Sequence, residues 1–128
     1  MSTNAEISVV HKDQTVSTVY LHWDGDGALA TLQEAYNTLE KAEALVALGS
    51  LSALYTLMDA PAGHTFAKPV DGVTIAYHRD RGEDLKVDKD DSVEECLRNC
   101  GQQYHYMFEF SKWQRVTMDD LAELMGDE

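Results

Sequence analysis

The chain opens on strand-like patterning. ISVV at 7–10 and VSTVYLHW at 16–23 are rich in β-branched and aromatic residues and flank the polar stretch His11-Lys12-Asp13-Gln14, which predicts a β-hairpin. In the second strand Val19, Leu21 and Trp23 fall on one face and Thr18, Tyr20 and His22 on the other, so Trp23 is expected in the core and His22 on the less buried side. Asp24, Gly25, Asp26 and Gly27 then break the strand, with Asp26 the expected cap of a helix starting near Ala28. Asn37 with Glu40 reads as a capping-box variant opening a second helix that ends at Gly49. SLSALYTLM, from Ser50, is predicted to add another helical turn or two, and DAPAGHTFAKP at 59–69 to form an irregular loop.

VTIAYH at 73–78 returns to strand character, with Val73, Ile75 and Tyr77 on one face, and the charged RDRGEDLKVDKDD follows as a connection. Ser92 and Glu95 form a capping box ahead of Val93, Cys96, Leu97 and Cys100, spaced i, i+3, i+4, i+7 along one helical stripe. Tyr104, Tyr106, Phe108 and Phe110 alternate with His105, Met107 and Glu109, and WQRV follows the Ser111-Lys112 turn, giving a second hairpin. Thr117 is placed as the cap of a last helix, MDDLAELM. The element order predicts one α+β domain over residues 1–128, with an antiparallel or mixed sheet of about five strands, two terminal hairpins plus a central strand, packed against several short helices.

Composition adds one strong fact. The 128 residues carry 23 acidic against 10 basic side chains, a net charge of −13. This argues against direct nucleic-acid binding, which relies on cations meeting phosphates. Apolar runs are too short for a membrane span or a signal-peptide core, so a soluble, cytoplasmic protein is expected. Cys96 and Cys100 have no second cysteine pair for a four-sulfur metal site and read as reduced core thiols.

Eight of the carboxylates fall between Asp80 and Glu95: Asp80, Glu83, Asp84, Asp88, Asp90, Asp91, Glu94 and Glu95. Asp119, Asp120, Glu123, Asp127 and Glu128 crowd the C-terminus. If the two segments converge, Asp80, Glu83, Asp84, Asp88, Asp90, Asp91, Glu94, Glu95, Asp119, Asp120 and Glu123 form an anionic ridge suited to a lysine- and arginine-lined groove. Part of the acidity also favours helix starts. No nucleophile elbow, P-loop or dinucleotide fingerprint is present, so a binding rather than a catalytic role is expected, with no cofactor and no metal. The alternative is a small metal- or nucleotide-dependent enzyme in which His22, Asp24, His78 and Asp80 meet at neighbouring strand ends. A third reading is an accessory module that binds protein through exposed Tyr104 and Tyr106. The HRD triplet at 78–80 does not make a kinase, since the chain is far too short and lacks the Gly-rich and DFG elements.

VYLHWDGDG, YNTLEKAEALVALGSLSAL and VTIAYHRDRGED, with the later aromatic strand YHYMFEF, together resemble a family of small proteins encoded by bacteriophages and prophages, marked by a strand ending in HWDG and a later AYHRDRGE. The resemblance spans most of the chain. It departs where Asp26 replaces the family's aromatic after HWDG and where the loop before the helix is shortened. It implies a mobile-element origin and a small interaction protein, and brings no active site. Joined to the charge, it implies a stoichiometric inhibitor of bacterial defence machinery, anti-CRISPR-like and a candidate DNA mimic, acting in the host cytoplasm as a monomer or weak dimer on a nucleic-acid-binding complex.

Overall fold

A computed structural model describes residues 3–99 and 104–116. Their strands form one mixed sheet. The first hairpin pairs β1 (Ala5–Val10) with β2 (Val16–Leu21), antiparallel and in register from Ala5↔Leu21 to Val10↔Val16. Its turn closes through the His11 amide donating to the Thr15 carbonyl (2.8 Å) and the Gln14 amide to the His11 carbonyl (2.9 Å). On the other side of β1 lies β6 (Tyr104–Glu109), parallel to it, and β7 (Lys112–Val116) pairs antiparallel with β6 at the edge.

The chain between the hairpins supplies α1 (Ala28–Ala35), α2 (Leu39–Val46), β3 (Leu51–Ala53), β4 (Ile75–Ala76), α3 (Tyr77–Arg81), β5 (Asp88–Asp90) and α4 (Val93–Asn99). The order across the sheet is β4-β3-β2-β1-β6-β7, and β5 takes a separate stretch of the β2 edge. This is the expected α+β domain, with seven strands among the described residues where about five were predicted. The two extra pieces are short, and tertiary pairing makes both. Leu51 bridges β2 and β4, and the His22 amide donates to its carbonyl, so the stretch read as helix becomes β3. Asp88, Lys89 and Asp90 have little intrinsic β tendency, but the open edge of β2 accepts them as β5.

Side-chain alternation sorts the core into two layers. Ile7, Val9, Val19, Leu21, Tyr106, Phe108 and Trp113 join Leu32 of α1, Tyr36 just beyond it, and Leu45 and Val46 of α2 in the main core. The opposite face of the sheet carries Val10, Val16 and Met107, packed under Cys96 and Leu97 of α4. The Trp113 indole donates to the Tyr36 carbonyl (2.9 Å) and anchors β7 to the end of α1.

Local structure corrects several predicted caps and contacts. Asp26 makes no cap hydrogen bond; residues 25–27 form a 3-10 turn and Gly27 precedes α1. Gly25 is required there by close approach, since a Cβ would stand 2.8 Å from both the Ala5 Cβ and the Thr3 carbonyl oxygen. Thr38, one residue beyond the predicted Asn37, caps α2 by accepting from the Lys41 amide. The second strand stops at Leu21, so Trp23 leaves the core and is 44% exposed. Tyr106 is buried and donates to the Gly25 carbonyl (2.6 Å), which removes it from any exposed aromatic surface. Ser92 does cap α4, accepting from the Glu95 amide, while the Glu95 carboxylate accepts from the Asp91 amide. Cys100, the helix placed after Thr117, and Asp119, Asp120 and Glu123 lie outside the described residues.

Candidate functional site

Four polar arrangements stand on this frame. The first is the acidic strip. Glu83, Asp84, Asp88, Asp91, Glu94 and Glu95 are exposed on or beside β5 and α4. Glu94 pairs with Arg98 one helical turn on, and Glu83 with Arg81 at 3.2 Å. A recess of about 310 Å³ opens beside the strip, lined by Glu6, Asp88, Lys89 and Asp90 with Thr18, Cys96 and Asn99.

Two carboxylates assigned to the ridge turn inward instead. The Asp80 side chain is only 2% exposed. It accepts from the Ala76 amide (2.8 Å) and from Arg79 Nε (2.8 Å), with His64 Nε2 3.2 Å away. Arg79 also donates to the Met58 and Thr74 carbonyls, so the pair fastens the long 54–74 loop to α3. Burial raises the Asp80 pKa, but the hydrogen bonds from Arg79 and Ala76, with His64 close by, outweigh it and hold the carboxyl below its ordinary value. Asp90 is buried under α4 and accepts from the Asn99 amide group (2.7 Å). Its pKa is pushed up, chiefly by burial, with Cys96, Glu95 and Asp88 adding to the rise against the Asn99 hydrogen bond.

Among the described residues His22, Asp24, His78 and Asp80 are not brought together as a metal-holding group. His22 Nδ1 is 2.7 Å from the Tyr20 hydroxyl, His78 Nδ1 is 2.7 Å from the Glu83 carbonyl, and Asp24 is exposed in a left-handed turn. Asp80 is held inside the loop latch. Among the described residues no group of three or more His, Cys, Asp or Glu side chains is placed to hold a metal ion.

The third arrangement was not anticipated. Beneath α4, Ser8 Oγ lies 2.6 Å from both Thr18 Oγ1 and His105 Nε2, and Cys96 Sγ is 3.4 Å from Thr18 Oγ1. Ser8, Thr18, Cys96 and His105 are all buried, so this quartet satisfies its own polar groups inside the second core layer. Register supplies the signal that existed for it: Ser8, Thr18 and His105 are polar positions on the face that α4 covers, and β1 pairing places Ser8 opposite Thr18 of β2 and diagonal to His105 of β6, which pairs with Glu6.

The fourth lies on the opposite face of the sheet, at the hairpin turn. His11 Nε2 is 2.7 Å from Ser17 Oγ, and His11 Nδ1 is 2.6 Å from Glu43 Oε2 of α2. An ionised carboxylate only accepts, so in the neutral ring Nδ1 carries the proton and Nε2 accepts from the Ser17 hydroxyl. All three side chains line an open cleft of about 390 Å³, whose apolar wall is Val46, Ala47, Leu85 and Val87. Lys89 stands directly across from Ser17 in the β2–β5 ladder and lines the same cleft. Gly49, at φ +81°, lets the chain leave α2 where a Cβ would strike Leu85, and this brings the 85–87 segment against the helix end as the cleft's outer wall.

Comparison of the chain with protein-family models, with curated proteins and with solved structures returns no match.

Proposed function

We propose that the protein is a stoichiometric inhibitor of phage or prophage origin that engages a nucleic-acid-binding bacterial defence complex in the host cytoplasm through the carboxylates of β5 and α4. The observation that carries this reading is the exposed run Asp88, Asp91, Glu94 and Glu95 along β5 and α4, beside a recess lined by Glu6, Asp88, Lys89 and Asp90. A lysine or arginine side chain of the partner is met by the exposed strip, whose carboxylates accept its N–H donors while the remaining acidic residues attract the rest of a basic groove. Attraction of this kind gives fast association that weakens with salt. Asp80 and Asp90 take no direct part at the outer surface, since they are engaged internally.

The test is capture of partners by the tagged protein from a lysate of a bacterium carrying several defence systems, washed at low and high salt. Enrichment of a nucleic-acid-binding complex that is lost at high salt, and lost at low salt when Asp88, Asp91 and Glu94 are changed to lysine, is the expected outcome. A complex retained by the triple lysine variant sinks the reading. Glu95 is left intact in that variant because it caps α4.

A further inference from the structure

The cleft at the hairpin turn contains a serine, a histidine and a carboxylate in the order and spacing that acyl-transfer chemistry requires: hydroxyl to imidazole Nε2 at 2.7 Å, imidazole Nδ1 to carboxylate at 2.6 Å. We propose that Ser17, His11 and Glu43 form a nucleophilic triad, and that the cleft hydrolyses carboxylic esters with a short apolar acyl group. This activity is separate from partner binding, which uses the other face of β5.

Each part of the cleft has a role in that reaction. Ser17 is the second residue of β2, held between β1 and β5, so its backbone is fixed by two ladders. The residue is 6% exposed, and what it exposes faces the cleft. Glu43 on α2 orients the imidazole and stabilises the imidazolium that forms when Ser17 gives up its proton. The apolar side formed by Val46, Leu85 and Val87 receives the acyl chain. Lys89, opposite Ser17 in the ladder and lining the same cleft, is the cation within the cleft that the developing oxyanion would draw on.

The steps balance without a co-reactant other than water. Ser17 Oγ attacks the ester carbonyl carbon as its proton passes to His11 Nε2, and the C=O pair moves onto oxygen. Collapse of that oxyanion breaks the bond to the leaving alkoxide, which takes the proton from His11 and departs as an alcohol. Water, deprotonated by His11, then attacks the acyl-serine; the second collapse releases the carboxylic acid, and the proton returns to Ser17.

The same geometry also serves to tie the hairpin turn to α2, so the experiment must separate the two roles. The full-length protein is treated with a fluorophosphonate reagent and the modified peptide located by mass spectrometry, and hydrolysis of p-nitrophenyl acetate and butyrate is followed in parallel. The expected result is one adduct on Ser17. Hydrolysis should vanish in Ser17→Ala and fall ~10²–10⁴-fold in His11→Gln. Glu43→Gln, a change on the helix surface that keeps a hydrogen-bond acceptor, should lower the rate about tenfold or more with the melting temperature retained. A folded native protein that takes no label overturns the proposal. So does hydrolysis in folded Ser17→Ala equal to the native rate, or an unchanged rate in Glu43→Gln.

Discussion

Two serine–histidine pairs lie on opposite faces of the same hairpin, and their surroundings assign them different work. Ser8 and His105 meet at 2.6 Å with Thr18 and Cys96 around them, all buried beneath α4. Ser17 and His11 meet at 2.7 Å, but there the ring is part-buried, the third partner is a carboxylate, and a cleft opens over the hydroxyl. A hydrogen bond of the right length is thus insufficient to define a reactive site. Access and an orienting charge make the difference: the enclosed pair can only stabilise, while the open pair can meet a substrate.

The largest effect that would break or confirm this contrast is on the enclosed side. His105→Ala removes the ring from a close-packed layer and a partner from Ser8, and should cost about 2–4 kcal/mol. Urea unfolding, read as a shift in midpoint at constant slope, measures it. His11→Ala, in contrast, opens a site that water already reaches, and its cost should be about 1 kcal/mol or less. Equal losses for the two variants would mean that the cleft is as structural as the interior quartet. Ser8→Ala should follow at about 1–2 kcal/mol, because Thr18 and His105 lose their shared partner inside the protein, while Ser17→Ala stays below it.

How much of this was legible follows from which interactions were local. Both hairpins were readable because alternation and turn chemistry act over a few residues, and the Ser92–Glu95 cap is likewise local. β3 was not, because Leu51, Leu54 and Leu57 also suit a helix, and only pairing with β2 and β4 decides for a strand. The acidic strip was visible as composition. That Asp80 and Asp90 leave it depends on Arg79 and Asn99, partners whose geometry the charge pattern does not show. The triad was hidden for a similar reason. Glu43 is 32 positions from His11, and Ser17 sits within a strand instead of on a nucleophile elbow, so each residue reads on its own as turn, strand or helix surface.

The smallest expected effect concerns the strand that separates the two faces. In β5, Asp88 and Asp90 pair with Thr18 and Val16, on the α4 side, while Lys89 pairs with Ser17, on the cleft side. Asp90 has a folded pKa above its ordinary 3.8, mainly because it is buried. The fold therefore binds its proton more tightly than the unfolded chain does, so this carboxyl's contribution is most favourable below 3.8 and is lost as pH rises through the folded value. At neutral pH the charge is a net cost. Asp90→Asn keeps an oxygen to accept from Asn99 and should raise stability at pH 7, with the gain shrinking on acidification. Asp80 has the reverse sign: its pKa lies below 3.8, its contribution is present above that value, and it is lost as pH falls through the lower folded value. Thermal melts of Asp90→Asn and Asp80→Asn at neutral and acidic pH should thus move in opposite directions at neutrality. A loss of stability in Asp90→Asn at pH 7 would show that the Asp90 charge holds β5 to α4, and that the enclosed face depends on an ion where burial alone argues against one.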